Sequence, residues 1–424
     1  MGTVLFAWQL GGGLGHLLRM LPLAEGLVKE GHRVFMAFRD LGRAGEIYGQ
    51  AGVRFLQAPF RSRGRLFFPR TMGFAHLLAN VGFWDRRELF GLASAWRNLY
   101  RLIRPDLIVF DHSPVALLAA RGMAARRALI GTGFFCPPDV CPLPVISSRV
   151  DAEVETAKLI ADEEQMVGGV NWVLEHWQEG AIERLGQLYG EVDERFLTTF
   201  PELDHYGERK DARYWGPVMG CGGKVPEWPG GRGTKRIYAY LKAFTGLEEL
   251  LECLNDRGDA TLVLSDGIGR RIQERYASDT LRFANERLDM ARVGQECDVA
   301  ILNANHATAA GLLLAGRPML NIPLQVEQQL LGQAVSRIGA GEMVGPKGKG
   351  RTRIEEVLEQ LLWGESHMLA ARRFLERHRS FDRERQTSDM LERACKLVSG
   401  GPGVTQGSWR DAFSRTPVSG HEDG

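Results

Sequence analysis

The amino end of the chain constrains its fold most. The run "TVLFAW" at residues 3–8 is short, apolar and rich in strand formers, and it breaks into "QLGGGLGH" before an apolar helical pattern begins. Leu17, Leu18, Met20, Leu21, Ala24, Leu27 and Val28 recur at helical spacing, Gly31 is placed to close that helix, and "HRVFMAF" reads as a second strand. Strand, glycine loop, helix and strand make a βαβ unit, whose two strands run parallel. The predicted class is α/β. Pro22 and Gly26 lie inside the helix and weaken it, so tertiary packing has to hold it.

The glycine loop admits more than one reading. A dinucleotide-binding fingerprint needs G-x-G-x-x-G and an acid near the end of the second strand. After Gly11 and Gly13 the third glycine position is His16, Gly15 is out of register, and Asp40 is a weak candidate for the acid. A tight strand-to-helix turn accounts for Gly13 and Gly15 without any ligand. It does not account for a histidine at the helix start, where the positive end of the dipole favours the neutral imidazole that a general base needs. His16 is therefore a base or a bystander on this stretch alone.

At 424 residues the chain has room for two or three domains, and 44% hydrophobic with 25% charged residues is ordinary for a globular protein. A net charge of +1 offers no electrostatic basis for binding nucleic acid. The most apolar stretch, "PVALLAARGMAARRALIG", is interrupted by Arg121, Arg126 and Arg127, so no transmembrane segment is expected, nor is a signal peptide at the start. Cys136 and Cys141 have neither zinc nor redox spacing, which favours reduced thiols and a cytoplasmic location. No D-x-D and no metal-spaced cluster of His, Cys and Asp occurs, so no metal is expected.

Strand–helix alternation appears twice. In the first half "PDLIVFDHSP" and "ARRALIGTGFF" read as strands running into loops, and residues 150–195 are mostly helical. In the second, "KRIYAYLK", "ATLVLSDG", "CDVAILN" and "RPMLNIP" are strand-like runs with helical segments between them. The organisation predicted is a Rossmann-like domain over 1–215, a glycine- and proline-rich linker over 216–233, a second Rossmann-like domain with terminal helices over 234–398, and a disordered tail over 399–424. Two such halves predict ligands at the carboxyl ends of the strands.

The most informative stretch is residues 297–344. "DVAILN" is a strand and "ANHATAAGLLLAG" opens a helix directly after it, with Gly316 closing that helix and Pro318 beyond. Free amides and the dipole make such a helix start an anion site, to which Asn303, Asn305 and Thr308 add polar groups. The plainer alternative is a helix capped by its own Asn and Thr.

The whole segment resembles the donor-binding region of the GT-B glycosyltransferases, in the branch of UDP-glucuronosyltransferase-like and natural-product enzymes. Thr308, Ala315-Gly316-Arg317-Pro318, Pro323, Glu327-Gln328 and Gly339-Ala340-Gly341 fall at the spacings of that family's pattern. "GHLLRMLPLAEGLVKEGHRV" is similar to the family's first Gly-His segment and "PDLIVFDHSP" to its strand ending in an aspartate; the resemblance spans most of residues 1–395. It implies a GT-B architecture, two Rossmann-like domains with parallel sheets facing a cleft. It also implies an inverting, metal-independent transfer of sugar from a nucleotide diphosphate sugar, a UDP-sugar above all, to a hydroxyl acceptor. The nucleotide sugar is a substrate, and no cofactor is implied. By this resemblance His16 is the catalytic base, placed at the cleft by the glycine loop of Gly13 and Gly15, and Asp111 orients it. Glu327 and Gln328 grip the sugar, and the segment Asn305, His306, Ala307 and Thr308 holds the diphosphate.

Three positions depart from the family pattern. Asn303 replaces the donor-motif histidine and retains only an amide for a phosphate, Asn305 replaces a glycine, and Gly311 replaces the ribose-binding acid. Lys242, on the strand "YAYLK", would restore positive charge beside the phosphates; a solvated lysine is the plainer reading. The arginine- and aromatic-rich residues 54–104 fall on the family's acceptor side and would suit a lipid-linked or aromatic acceptor at the inner membrane face, although a helical layer with core aromatics explains them more simply. The competing activities are a nucleotide-sugar hydrolase or epimerase of the same architecture and a non-catalytic nucleotide-sugar-binding protein. A dinucleotide oxidoreductase is disfavoured by His16 in the fingerprint.

Overall fold

The computed structural model describes residues 1–12, 14–49, 51–61, 66–147, 152–220, 222–345 and 351–400. The tail predicted for 399–424 therefore lies, from 401 onward, outside the described residues. The chain forms two compact units. One comprises Met1–Ile130, Phe135–Phe196 and the described residues from Thr387 onward; the other comprises Gly131–Phe134 and Leu197–Gln386. The division falls at Leu197 and again at Thr387, whereas composition places it at 216–233.

The first unit is built on β1 (Thr3–Trp8), α1 (Leu14–Lys29), β2 (Arg33–Phe38), α2 (Leu41–Tyr48), β3 (Arg54–Gln57), α3 (Phe74–Leu78), α4 (Arg86–Ile103), β4 (Leu107–Asp111), α5 (Pro114–Ala119), β5 (Arg126–Gly131), α6 (Ala152–His176), α7 (Gln187–Gly190) and β6 (Glu194–Leu197). The sheet order is β3-β2-β1-β4-β5-β6. Every residue of β1 and of β4 is buried, as expected for central parallel strands covered on both faces. Of the aromatics of the 54–104 region, Phe74, Phe83, Trp96 and Tyr100 are buried in the core, whereas Phe55, Phe60, Phe67, Phe68, Trp84 and Phe90 are half-buried. Arg97 is buried as well, and it donates to the carbonyls of Ala119 and Arg121. Gly26 in α1 proves useful rather than merely weak, because a Cβ there would lie 2.8 Å from the Leu391 side chain.

The second unit repeats the plan with β7 (Arg236–Lys242), α8 (Leu247–Arg257), β8 (Ala260–Asp266), α9 (Arg270–Tyr276), β9 (Leu281–Ala284), α10 (Met290–Glu296), β10 (Val299–Leu302), α11 (His306–Leu313), β11 (Met319–Asn321), α12 (Val326–Arg337) and β12 (Gly341–Met343). α13 (Arg351–Trp363), α14 (Glu365–Arg377) and α15 (Arg383–Ser399) follow. Its order is β12-β11-β10-β7-β8-β9. Counted from the first strand of each unit, both sheets run 3-2-1-4-5-6, the order of the dinucleotide-binding fold. The strand order therefore reverses between β1 and β4 in one unit and between β7 and β10 in the other. Outside the carboxyl ends of such strand pairs the helices diverge and a ligand site opens.

Candidate active site

His16 and Asp111 meet at the switch point of the first unit. β1 pairs with β4 so that Trp8 is opposite Asp111, and α1 turns back over that strand end to bring His16 down onto it. His16 Nδ1 lies 3.0 Å from Asp111 Oδ2, and the other carboxylate oxygen accepts from Arg19 Nη1 at 3.1 Å. Asp111 is fully buried. Burial alone would raise its carboxyl; the charges of His16 and Arg19 and the His16 hydrogen bond outweigh that and hold it below the ordinary carboxylate range. A carboxylate on Nδ1 selects the tautomer whose free lone pair is on Nε2.

The imidazole sits among rings. Trp8 stacks on it at 5.4 Å, and Phe135 lies at 4.8 Å. The residue just after β4, His112, stacks at 6.3 Å. His112 has φ of 46°, and its carbonyl accepts the Leu10 N–H, which pins the loop after β1 to the loop after β4. Burial, reinforced by the charge of His16, pushes the His112 imidazole down to about 3, so it is neutral at ordinary pH.

The glycine that serves His16 is not one of the two singled out from the sequence. A Cβ on Gly11, whose φ is +82°, would lie 2.5 Å from His16 Nε2. Gly15 has nothing within 4 Å of that position, and Gly13 lies outside the described residues. Asp40, the weak candidate for a dinucleotide acid, caps α2 by accepting from Gly42 N.

At the second switch point, between β7 and β10, the structure changes the expected division of labour. Asn303 is fully buried, and both ends of its amide hold the fold: Oδ1 accepts from Lys242 N at 2.7 Å and Nδ2 donates to the Ile322 carbonyl at 2.9 Å. Both ends of this buried amide are thus engaged by the backbone, which makes it a brace between β7 and the end of β11, with one Nδ2 hydrogen beyond those two bonds. Ala304 follows with φ of 54°, a left-handed turn that costs a non-glycine residue energy and delivers the chain into α11. Asn305 occupies the cap position of α11 without capping it; its Oδ1 accepts instead from Gln328 Nε2 at 3.2 Å. The first amides of α11, at His306, Ala307 and Thr308, thus receive no cap from Asn305, contrary to the self-capping alternative. Thr308 is half-buried and Ala307 exposed.

Gln328, expected to grip sugar, is buried, and its Oε1 accepts from Leu324 N at 2.8 Å, so its amide ties the loop before α12 to Asn305. Glu327 in the first turn of α12 keeps 22% of its side chain exposed and lies 3.7 Å from His205 Nε2. His306 Nε2 is 2.7 Å from Thr199 Oγ1, and its ring stacks on His205 at 5.8 Å. Lys242 pairs with Asp266 at 3.4 Å, across from it in the β7–β8 register. A Cβ on Gly311 would come within 3.2 Å of Met219 Sδ, so an acidic side chain at this position would have to displace Met219.

Arg19, Gly11, His112 and His205 were missed in the sequence. Arg19 stands three residues after His16, a spacing that places two side chains on one helix face, and that signal was available. Gly11 is one of three adjacent glycines with nothing to distinguish it. His205 reaches Glu327 only through the folded path of residues 197–215.

No family model matches the chain. Its sequence is 24% identical to a PGL/p-HBAD biosynthesis glycosyltransferase of Mycobacterium tuberculosis, over 69% of this chain and 72% of the relative. It is likewise 24% identical to a PGL/p-HBAD biosynthesis rhamnosyltransferase of Mycobacterium bovis, over 88% of this chain and 83% of the relative. Among solved structures it resembles the calicheamicin glycosyltransferase CalG4, with a TM-score of 0.67 at 16% identity, covering 94% of this chain and 98% of that one. It also resembles the glycosyltransferase VinC in complex with dTDP, with a TM-score of 0.59 at 14% identity, covering 94% of this chain and 100% of that one. The solved structures show the fold of the GT-B glycosyltransferases, and the sequence relatives are glycosyltransferases.

Proposed function

We propose that this chain transfers a sugar, with inversion and without a metal, from a nucleotide diphosphate sugar to a hydroxyl acceptor. The observation that carries the reading is the His16–Asp111 contact at the first switch point. With Asp111 on Nδ1, His16 Nε2 takes the proton of the acceptor hydroxyl as its oxygen attacks the anomeric carbon. The bond from that carbon to the diphosphate oxygen breaks in the same step. A single displacement inverts the centre, and the departing diphosphate carries away the electron pair.

In the second unit the start of α11, to which Asn305 gives no side-chain cap, suits a diphosphate, which helix starts bind without a metal. Glu327 takes the sugar, because a carboxylate accepts two hydroxyl hydrogen bonds and repels phosphate oxygens. Asn303 and Gln328 enter as braces of that site rather than as its contacts. The dTDP bound to VinC supports a nucleoside diphosphate donor; a uridine diphosphate sugar is the form the sequence resemblance favours.

Product analysis in the presence of a chelator tests the reading, with uridine and thymidine diphosphate sugars supplied alone and with a hydroxyl acceptor. A conjugate formed only when both substrates are present, and lost in His16→Ala, supports it. Free sugar released equally without acceptor is the signature of a hydrolase and would overturn it.

A further inference from the structure

The geometry points to His205 as a positioning residue for Glu327, holding that carboxylate in place for the donor sugar. The inference rests on the sugar-binding role proposed for Glu327. The His205 side chain is wholly buried, and among the described residues its Nε2 has no hydrogen-bond partner. Its Nδ1 accepts the Phe134 N–H at 3.3 Å, which puts the ring's N–H donor on Nε2. A buried donor left unpaired is costly enough to call for an explanation. The acid it faces is Glu327, with Oε1 3.7 Å away. A shift of the carboxylate of roughly 0.8 Å brings the pair to an ordinary N–H···O distance.

The surroundings keep the imidazole fixed. Asp204, immediately before it, is fully buried and accepts from Tyr206 N at 3.0 Å and Tyr214 Oη at 3.0 Å while pairing with Arg209 at 2.9 Å. Gly133 permits this knot, since a Cβ there would lie 2.1 Å from Asp204 Oδ1. On its ring face His205 stacks with His306. Glu327 is thereby flanked by two anchors. Gln328 ties its helix start to Asn305, and His205 faces its own carboxylate. The remaining exposure of Glu327 is what a ligand hydroxyl would meet.

The test is calorimetric titration with UDP-glucose and dTDP-glucose beside bare UDP and dTDP. His205→Phe keeps a ring and removes the N–H; His205→Gln places an amide N–H near the Nε2 position. His205→Phe is expected to weaken the sugar nucleotide roughly 3- to 10-fold, the range for one hydrogen bond, while leaving the bare diphosphate unchanged. His205→Gln retains most of the affinity. In a Glu327→Ala background His205→Phe adds no further loss, because the group it positions is gone. Equal losses for sugar-bearing and bare ligands, no loss at all, or a full additional loss on top of Glu327→Ala would overturn the inference. If His205→Phe does not fold, His205→Leu against His205→Gln carries the same contrast. Glu327→Ala alone separates the two levels: if it weakens sugar and bare nucleotides equally, or if no nucleotide binds wild type, the role of Glu327 itself fails. If it is selective and His205→Phe is silent, only the present inference falls.

Discussion

Replacing Gly11 by alanine is expected to disable His16 while leaving the protein folded. The new methyl would lie 2.5 Å from His16 Nε2 and 3.3 Å from the two ring carbons beside it, so the imidazole has to move by about 1 Å to regain a normal contact. It cannot do so freely. One retreat stretches the 3.0 Å bond to Asp111, and the others press it on Phe135 at 4.8 Å or Trp8 at 5.4 Å. Misplacing a reacting group by about 1 Å costs on the order of 10²-fold in rate. The left-handed φ of +82° adds roughly 1–2 kcal/mol of backbone strain for any residue with a Cβ. Transfer should therefore fall about 10²-fold, with a modest loss of stability and with diphosphate affinity retained. Gly15→Ala is the control: it has nothing within 4 Å, lies in α1, and should keep its activity while gaining up to about 1 kcal/mol from helix propensity. The measurements are initial rates, calorimetric binding and chemical denaturation of the three proteins. A folded Gly11→Ala protein that turns over like wild type would refute the reasoning.

Two further outcomes follow from single residues of the second unit. Asn303→Ala strips partners from the Lys242 N–H and the Ile322 carbonyl at once, and should cost about 2–4 kcal/mol in denaturant unfolding, a larger effect than any on diphosphate affinity. Burial pushes the Glu202 carboxyl up, but hydrogen bonds from His378 and Arg377 overcome it and bring the group from the ordinary 4.5 down to about 2. A depressed carboxylate stabilises the fold fully above its unfolded value and loses that contribution as pH falls through the folded one. Glu202→Gln should accordingly cost about 2 kcal/mol near pH 7 and almost nothing near pH 2, read from unfolding midpoints at the two pH values.

What could be read in the sequence tracks burial. In the first sheet the legible strands were β1, β2, β4 and β5, and in the second β7, β8, β10 and β11. These are the four central strands of each, and they are apolar because both faces are covered. The edge strands escaped notice. β3 and β9 are four residues each and half exposed, and β12 is the three residues Gly341–Met343, too short to show any alternation. β6 was absorbed into the stretch 150–195 that reads as helical. The site divided in the same way. His16 and Asp111 were legible because each sits where a buried strand or its following loop ends, and such ends are visible as changes of pattern. Asn303 and Gln328 were legible as positions but not as contacts. Which neighbour claims a buried amide depends on chain segments some twenty to sixty residues away, and spacing carries no information about that. The last helix shows the same limit: α15 is amphipathic on any reading, yet that its Leu391 fills the space left by Gly26 is a fact of packing alone.

The most direct measurement is the initial rate of sugar transfer by His16→Ala beside wild type, at saturating nucleotide diphosphate sugar and acceptor, with chelator present. If His16 is the base held by Asp111, the rate falls by about 10²–10⁴-fold while the affinity for the bare nucleotide diphosphate is unchanged. Transfer by His16→Ala at the wild-type rate would contradict the account.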